Sequence, residues 1–127
     1  MAKNMFQTEF EINASKKMLY PYIYSPSGLA QWLADDVNIN EDNIYNFIWE
    51  EEDHKYRIAA HRTNSFVKFE STDEDEDPIY FELRLEMNEL TQSVFIRIID
   101  YTDNSDDEEL QDLWESMIFN LKEIVGG

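Results

Sequence analysis

The segment from Ser105 to Gly127, SDDEELQDLWESMIFNLKEIVGG, reads as one long amphipathic helix, and the rest of the chain has to be arranged around it. Leu110, Leu113, Trp114, Met117, Ile118, Leu121 and Ile124 recur at three- and four-residue spacing, which places them on one face that must be buried. Ser105 followed three residues later by Glu108 is a capping-box pattern, each side chain satisfying an orphaned backbone N–H. Asp106 to Glu109 set negative charge against the positive end of the helix dipole, and Lys122 lies near the negative end. Gly126 and Gly127 release the chain. From Asp106 to Ile124 such a helix would run roughly 28 Å, about the width of a small domain.

The stripe needs an apolar wall, and the preceding sequence offers one. Phe6 to Ile12 alternates, with Phe6, Thr8, Phe10 and Ile12 on one side, as a half-buried strand does. Ser15 can cap a helix running toward Tyr24 with Met18, Leu19, Tyr22 and Ile23 inward, although Pro21 predicts a kink or a late start. Ser25-Pro26 opens a second short helix carrying Leu29, Trp32 and Leu33, with Gly28 lowering its intrinsic stability.

From Val37 onward the period is two. Val37 to Ile39 reads as a short edge segment, and Tyr45, Phe47 and Trp49 share one face of the next strand. A turn through Glu50 to Asp53 would set Trp49 opposite His54, Phe47 opposite Tyr56 and Tyr45 opposite Ile58. A tight turn at Asn64-Ser65 would pair Ala60 with Phe69 and Arg62 with Val67. Beyond an acidic run at Asp73 to Asp77, a turn at Asn88 to Thr91 would pair Leu85 with Val94, Leu83 with Ile96 and Phe81 with Ile98. The outer face would then match Glu82 with Arg97. The expected fold is α+β: a curved antiparallel sheet of about six to seven strands, two short helices after the first strand, and the long C-terminal helix packed across the sheet. Residues 1–127 are expected to form a single domain.

Composition removes several functions. The formal net charge is −18, from ten basic and twenty-eight acidic residues, which repels nucleic acid and anionic membrane surfaces alike. Cysteine is absent, so disulfides and thiolate metal sites are excluded. Neither a signal pattern nor a long hydrophobic run is present, and a cytoplasmic location is expected. There is no Gly-rich phosphate loop, no HExxH and no nucleophile elbow, so no catalytic residue is assigned and a non-enzymatic role is expected. Asp73, Asp75 and Asp77 fail as a calcium loop, because Pro78 and Arg84 stand where Gly and Glu are required. His54 is expected inward at a strand end and His61 outward, too far apart in role to share a metal. No metal and no cofactor are expected.

The order of elements and their residues resemble the START-like helix-grip superfamily, near the homologues of the activator of the heat-shock-protein-90 ATPase. FEINASKKMLYPYIYSPSGLAQWLADDV is similar to that family's opening strand and two helices, NFIWEE to its early strand ending in Trp, and LWESMIFNLKEIV to its terminal helix. The resemblance implies a curved sheet gripping the long helix, often with a cavity for a hydrophobic or amphipathic molecule between them. Tyr45, Tyr56, His54 and Arg62 would then orient the ligand's polar end, and Trp49, Phe81, Trp114 and Met117 would contact its body. Two arrangements stay open: the aromatic residues are ordinary core if helix and sheet pack closely, and a cavity lining if they stand apart. The expected partner is accordingly a small hydrophobic ligand or, alternatively, another protein, a second copy included.

Overall fold

The structure, a computed structural model, describes residues 4–72, 79–102 and 106–126. Its elements follow in the order β1 (Asn4–Ile12), α1 (Lys16–Tyr24), α2 (Pro26–Leu29), β2 (Asp36–Ile39), β3 (Ile44–Trp49), β4 (Glu52–Arg62), β5 (Phe66–Ser71), β6 (Tyr80–Met87), β7 (Val94–Thr102) and α3 (Asp107–Val125). The seven strands form one antiparallel sheet in the order β1-β7-β6-β5-β4-β3-β2. The acidic run at Asp73 to Asp77 lies outside the described residues.

α3 forms as its stripe dictates, with corrections at its edges. Leu110, Trp114, Ile118 and Leu121 are buried, whereas Leu113 and Ile124 at the margins of the stripe are partly exposed. Ser105 lies outside the described residues; the N-cap is Asp106, whose carboxylate accepts from Glu109 N–H. Gly126 closes the helix in the left-handed conformation at φ 84°, donating its N–H to Lys122 O.

α1 starts at Lys16 with Ser15 as cap and continues through Pro21 without the late start expected of it. Proline leaves one carbonyl of the preceding turn unpaired, and that carbonyl belongs to exposed Lys17, where water can serve it. Leu19, Tyr20 and Ile23 are the buried face; Met18, expected inward, is half exposed. Gly28 has a packing reason to be glycine, since a Cβ there would stand 2.2 Å from Pro21 O. Trp32 Nε1 donates to Tyr22 O and the Tyr45 hydroxyl to Tyr24 O, so two core aromatics tie the α1 end into the sheet side.

Three turns differ from expectation and set the strand registers. The β3–β4 turn is only two residues, Glu50 and Glu51, both left-handed at φ 52° and 68°. It shifts the pairing by two, to Phe47 with His54 and Tyr45 with Tyr56, and an even shift keeps every side chain on its face. The β6–β7 connection is longer than expected, closed by Asn88 N–H on Ser93 O, and pairs Phe81 with Asp100, Leu83 with Ile98 and Leu85 with Ile96. Glu82 consequently faces Ile99 instead of Arg97; Arg97 reaches Glu9 and Glu86. The third turn passes through Thr63 to Ser65 with Asn64 at φ 59°, making Arg62 oppose Phe66 and His61 oppose Val67. That odd shift reverses the faces at this end, so Arg62 is exposed. An irregularity between Ile58 and Ala60 restores the original face for Ile58, Tyr56 and His54.

Candidate functional site

The aromatic residues divide into a filled core and an open cleft. Tyr45, Phe47, Phe69 and Phe81 pack ring on ring with centroids 5.1–6.1 Å apart, closing the middle of the sheet against α1 and α2. At the end where β3, β6 and α3 begin or stop, a cleft of about 430 Å³ remains between the sheet and the first turns of α3. Such a volume lies within the range that accommodates a small ligand.

Each wall has a local cause. Trp49 ends β3, stacked on Phe47 at 5.2 Å, with its Nε1 donating to Leu33 O at 2.6 Å. His54 stands edge-on to the Trp49 ring at 5.2 Å, and its Nε2 lies 3.7 Å from a Glu52 oxygen. Tyr56 and Phe81 form the floor, rings 5.2 Å apart, and Trp114 reaches down from α3 to Phe81 at 6.2 Å. Trp114 is fixed by a hydrogen bond from its Nε1 to Asp100 Oδ2 of 2.9 Å. Met117 and Leu113, one turn apart on α3, flank it.

Of the eight residues the sequence singles out, six border this cleft: Trp49, His54, Tyr56, Phe81, Trp114 and Met117. Tyr45 is not among them. It is 2% exposed, with its hydroxyl spent on Tyr24 O, and so belongs to the core. Arg62 is placed elsewhere too, since the turn after β4 carries it to the outer face. His61 is exposed, as expected of it, and also meets α1: its Nδ1 lies 3.4 Å from the Tyr20 hydroxyl and its ring 5.3 Å from that of Tyr24.

Asp100 is the site residue that sequence reasoning missed. It continues the inward series Val94, Ile96, Ile98 along β7, and a carboxylate at the fourth place of an apolar alternation was the available signal. Burial pushes its carboxyl above the ordinary carboxylate value, opposed by the Trp114 hydrogen bond. Burial, then the Asp100 charge, pushes the Tyr56 hydroxyl up to about 12. That hydroxyl has no hydrogen-bond partner among the described residues, nor does Asp100 Oδ1. Among the described residues no three His, Asp or Glu side chains converge to hold a metal ion, and no helix is long and apolar enough to cross a membrane.

A second, larger hollow of about 710 Å³ lies at the opposite end of the sheet, between the β1–α1 junction and the β6–β7 connection. Its walls are mostly polar loop residues such as Asn13, Ser15, Thr91 and Gln92, with no converging aromatic set.

A family model described as a START-like superfamily domain matches residues 1–127. The chain belongs to the START-like superfamily. Among solved structures, a protein from Bacteroides fragilis, determined by solution NMR, is 32% identical, with coverage of 98% of this chain and 92% of that one and a TM-score of 0.65. The Aha1 dimer from Colwellia psychrerythraea is 15% identical, covers 96% of each chain and has a TM-score of 0.75. A Chromobacterium violaceum protein is 14% identical over 98% of this chain and 99% of that chain, with a TM-score of 0.73. These last two likenesses show a shared START-like fold. No curated protein matches the chain.

Proposed function

We propose that this START-like chain is a non-enzymatic binding domain, a single domain over residues 1–127, that holds a small hydrophobic or amphipathic ligand between α3 and the sheet. The observation that carries the reading is the cleft itself. Six residues from β3, β4, β6 and α3 converge on one hollow of about 430 Å³ while the neighbouring core is closed ring against ring. Trp49 and Met117 on the lining are only partly buried and Leu113 beside them is 49% exposed, and an apolar ligand body would remove that surface from water at about 25 cal/mol per Å². Two polar atoms without partners, the Tyr56 hydroxyl and Asp100 Oδ1, supply orientation for a polar end.

Native mass spectrometry after gentle purification tests this. A bound organic adduct, lost in a Met117→Trp variant that fills the cleft, is the expected result. Absence of any adduct, together with failure of an apolar fluorescent probe to bind the unaltered chain but not the variant, overturns it.

A second reading, an interaction module pairing with another copy, is favoured by one observation. Phe119 on the outer side of α3 is 61% exposed, a large apolar residue among Glu115, Ser116 and Glu123. Sedimentation of the unaltered chain and of Phe119→Ser decides it: a dimer dispersed by the substitution supports the reading, and a monomer at all concentrations removes it.

A further inference from the structure

The polar groups of the cleft are one-sided. Among the described residues its lining contains two carboxylates, Glu50 and Asp100, and neither lysine nor arginine. Glu50 is exposed at the rim, whereas Asp100 is partly buried, standing across from Phe81 on β6 and Phe6 on β1. Trp114 occupies one Asp100 oxygen; the other has no partner among the described residues and is not sealed from solvent, and Asp100 belongs to the cleft lining. A carboxylate oxygen that only water meets, set among aromatic rings, favours a charged N–H donor over a neutral one.

We infer that the ligand of this cleft is an amphiphile whose apolar body ends in a protonated amine, the ammonium N–H donating to Asp100 Oδ1. The inference rests on the cleft being the ligand site proposed above. The Tyr56 hydroxyl, close enough to Asp100 to feel its charge, offers a second acceptor for the same ammonium group. Trp49, Phe81 and Trp114 border the same space, and aromatic rings attract a cation that has left water. A fatty carboxylate would meet the opposite conditions. Asp100 and Glu50 would repel it, and the one basic group on the lining, His54, already has Glu52 beside it. The overall charge of −18 draws cations to the whole surface, but physiological salt screens it beyond roughly 8 Å, so a preference surviving there is local.

The test is calorimetric titration of the full chain, near neutral pH in physiological salt, with four ten-carbon probes below their aggregation limits: decylammonium, decyltrimethylammonium, decanol and decanoate. Decylammonium is expected to bind about tenfold or more tightly than decanol, decanoate weakest, and decyltrimethylammonium, which has no N–H, between the first two. Asp100→Asn, which retains an oxygen for Trp114, should remove the preference, bringing decylammonium to the level that decanol shows on the same variant. If decanol binds as tightly as decylammonium, if decanoate binds better, or if Asp100→Asn leaves decylammonium untouched, the amine preference is overturned while the apolar site stands. Failure of all four probes overturns both. Should Asp100→Asn not fold, the ranking of the four probes on the unaltered chain decides.

Discussion

The Trp114 indole donates its Nε1–H to Asp100 Oδ2 at 2.9 Å, and this bond ties the long C-terminal helix to the last strand across the mouth of the cleft. It is a polar attachment on a helix face that otherwise buries Leu110, Ile118 and Leu121, and it holds a carboxylate where the strand pattern calls for an aliphatic residue.

Removing the donor leaves the carboxylate without its hydrogen bond. Trp114→Phe should destabilise the fold by about 1–3 kcal/mol at neutral pH, the cost of an abandoned buried acceptor, and Trp114→Ala by about 3–5 kcal/mol, because the ring is lost as well. Denaturant unfolding of the two variants measures both.

Replacing the acceptor works the other way. Burial raises the Asp100 carboxyl, so the folded chain holds that proton more tightly than the unfolded chain does. The resulting contribution to stability is present below the ordinary value of 3.8 and is lost as pH rises through the raised one. At neutral pH the ionised group is therefore a cost, and Asp100→Asn should raise the thermal midpoint at about pH 7 while changing it little at about pH 3. A lower midpoint at neutral pH would contradict this assignment. Gained stability with lost amine binding would be the signature of a residue kept for function.

The tyrosines make an alkaline prediction with the same sign. Tyr45 and Tyr56 are both pushed up to about 12, by burial first, then by the neighbouring Tyr24 and by Asp100 respectively. In the unfolded chain both would ionise near 10. Stability should fall between pH 10 and 12, and Tyr45→Phe and Tyr56→Phe should each flatten that fall. Ultraviolet titration of phenolate against the unfolding curve checks it.

At Gly28 a Cβ would stand 2.2 Å from Pro21 O and 2.8 Å from the Tyr22 Cα, both backbone atoms that cannot swing aside. Gly28→Ala should therefore destabilise by about 1–3 kcal/mol, against the gain that alanine gives an ordinary helix position. A stabilised variant would show that α1 and α2 are not held this closely.

Ending the chain before Leu113 deletes Trp114, Ile118 and Leu121 and leaves the sheet face above β6 and β7 open to water. No cooperative thermal transition should survive. A sharp transition in the truncated chain would remove α3 from the organising role.

Much of this was legible because side-chain faces depend on alternation alone. Phe47, Tyr56, Phe69, Phe81 and Ile98 all point where period two sends them, and two of the three registers that missed did so by an even number of residues. Turns were less legible. Nothing in a Glu-Glu pair announces two consecutive left-handed residues, which Asn-Gly would have done; here Glu50 N–H is anchored on Asp35 Oδ2, a contact fifteen residues away in sequence. The turn at Asn64 shifted by one, and Arg62 left the cleft for that reason alone. Asp100 escaped notice because an inward carboxylate becomes meaningful only once its partner is known, and Trp114 lies on another element.

The sheet order sets a timetable for synthesis. β1 is an edge strand whose sole sheet neighbour is β7, so Phe6 waits for Asp100 and Ile12 for Val94. At ordinary elongation rates the ribosome takes roughly 5–20 s to deliver that partner. During this interval β1, with Phe6, Phe10 and Ile12 on one side, has no strand to pair with, while β2 to β5 can already associate as hairpins. β1 is thus the strand left longest without its partner, and the polar residues that alternate with its apolar ones, Gln7, Glu9 and Glu11, disfavour pairing with a neighbour's edge in the meantime.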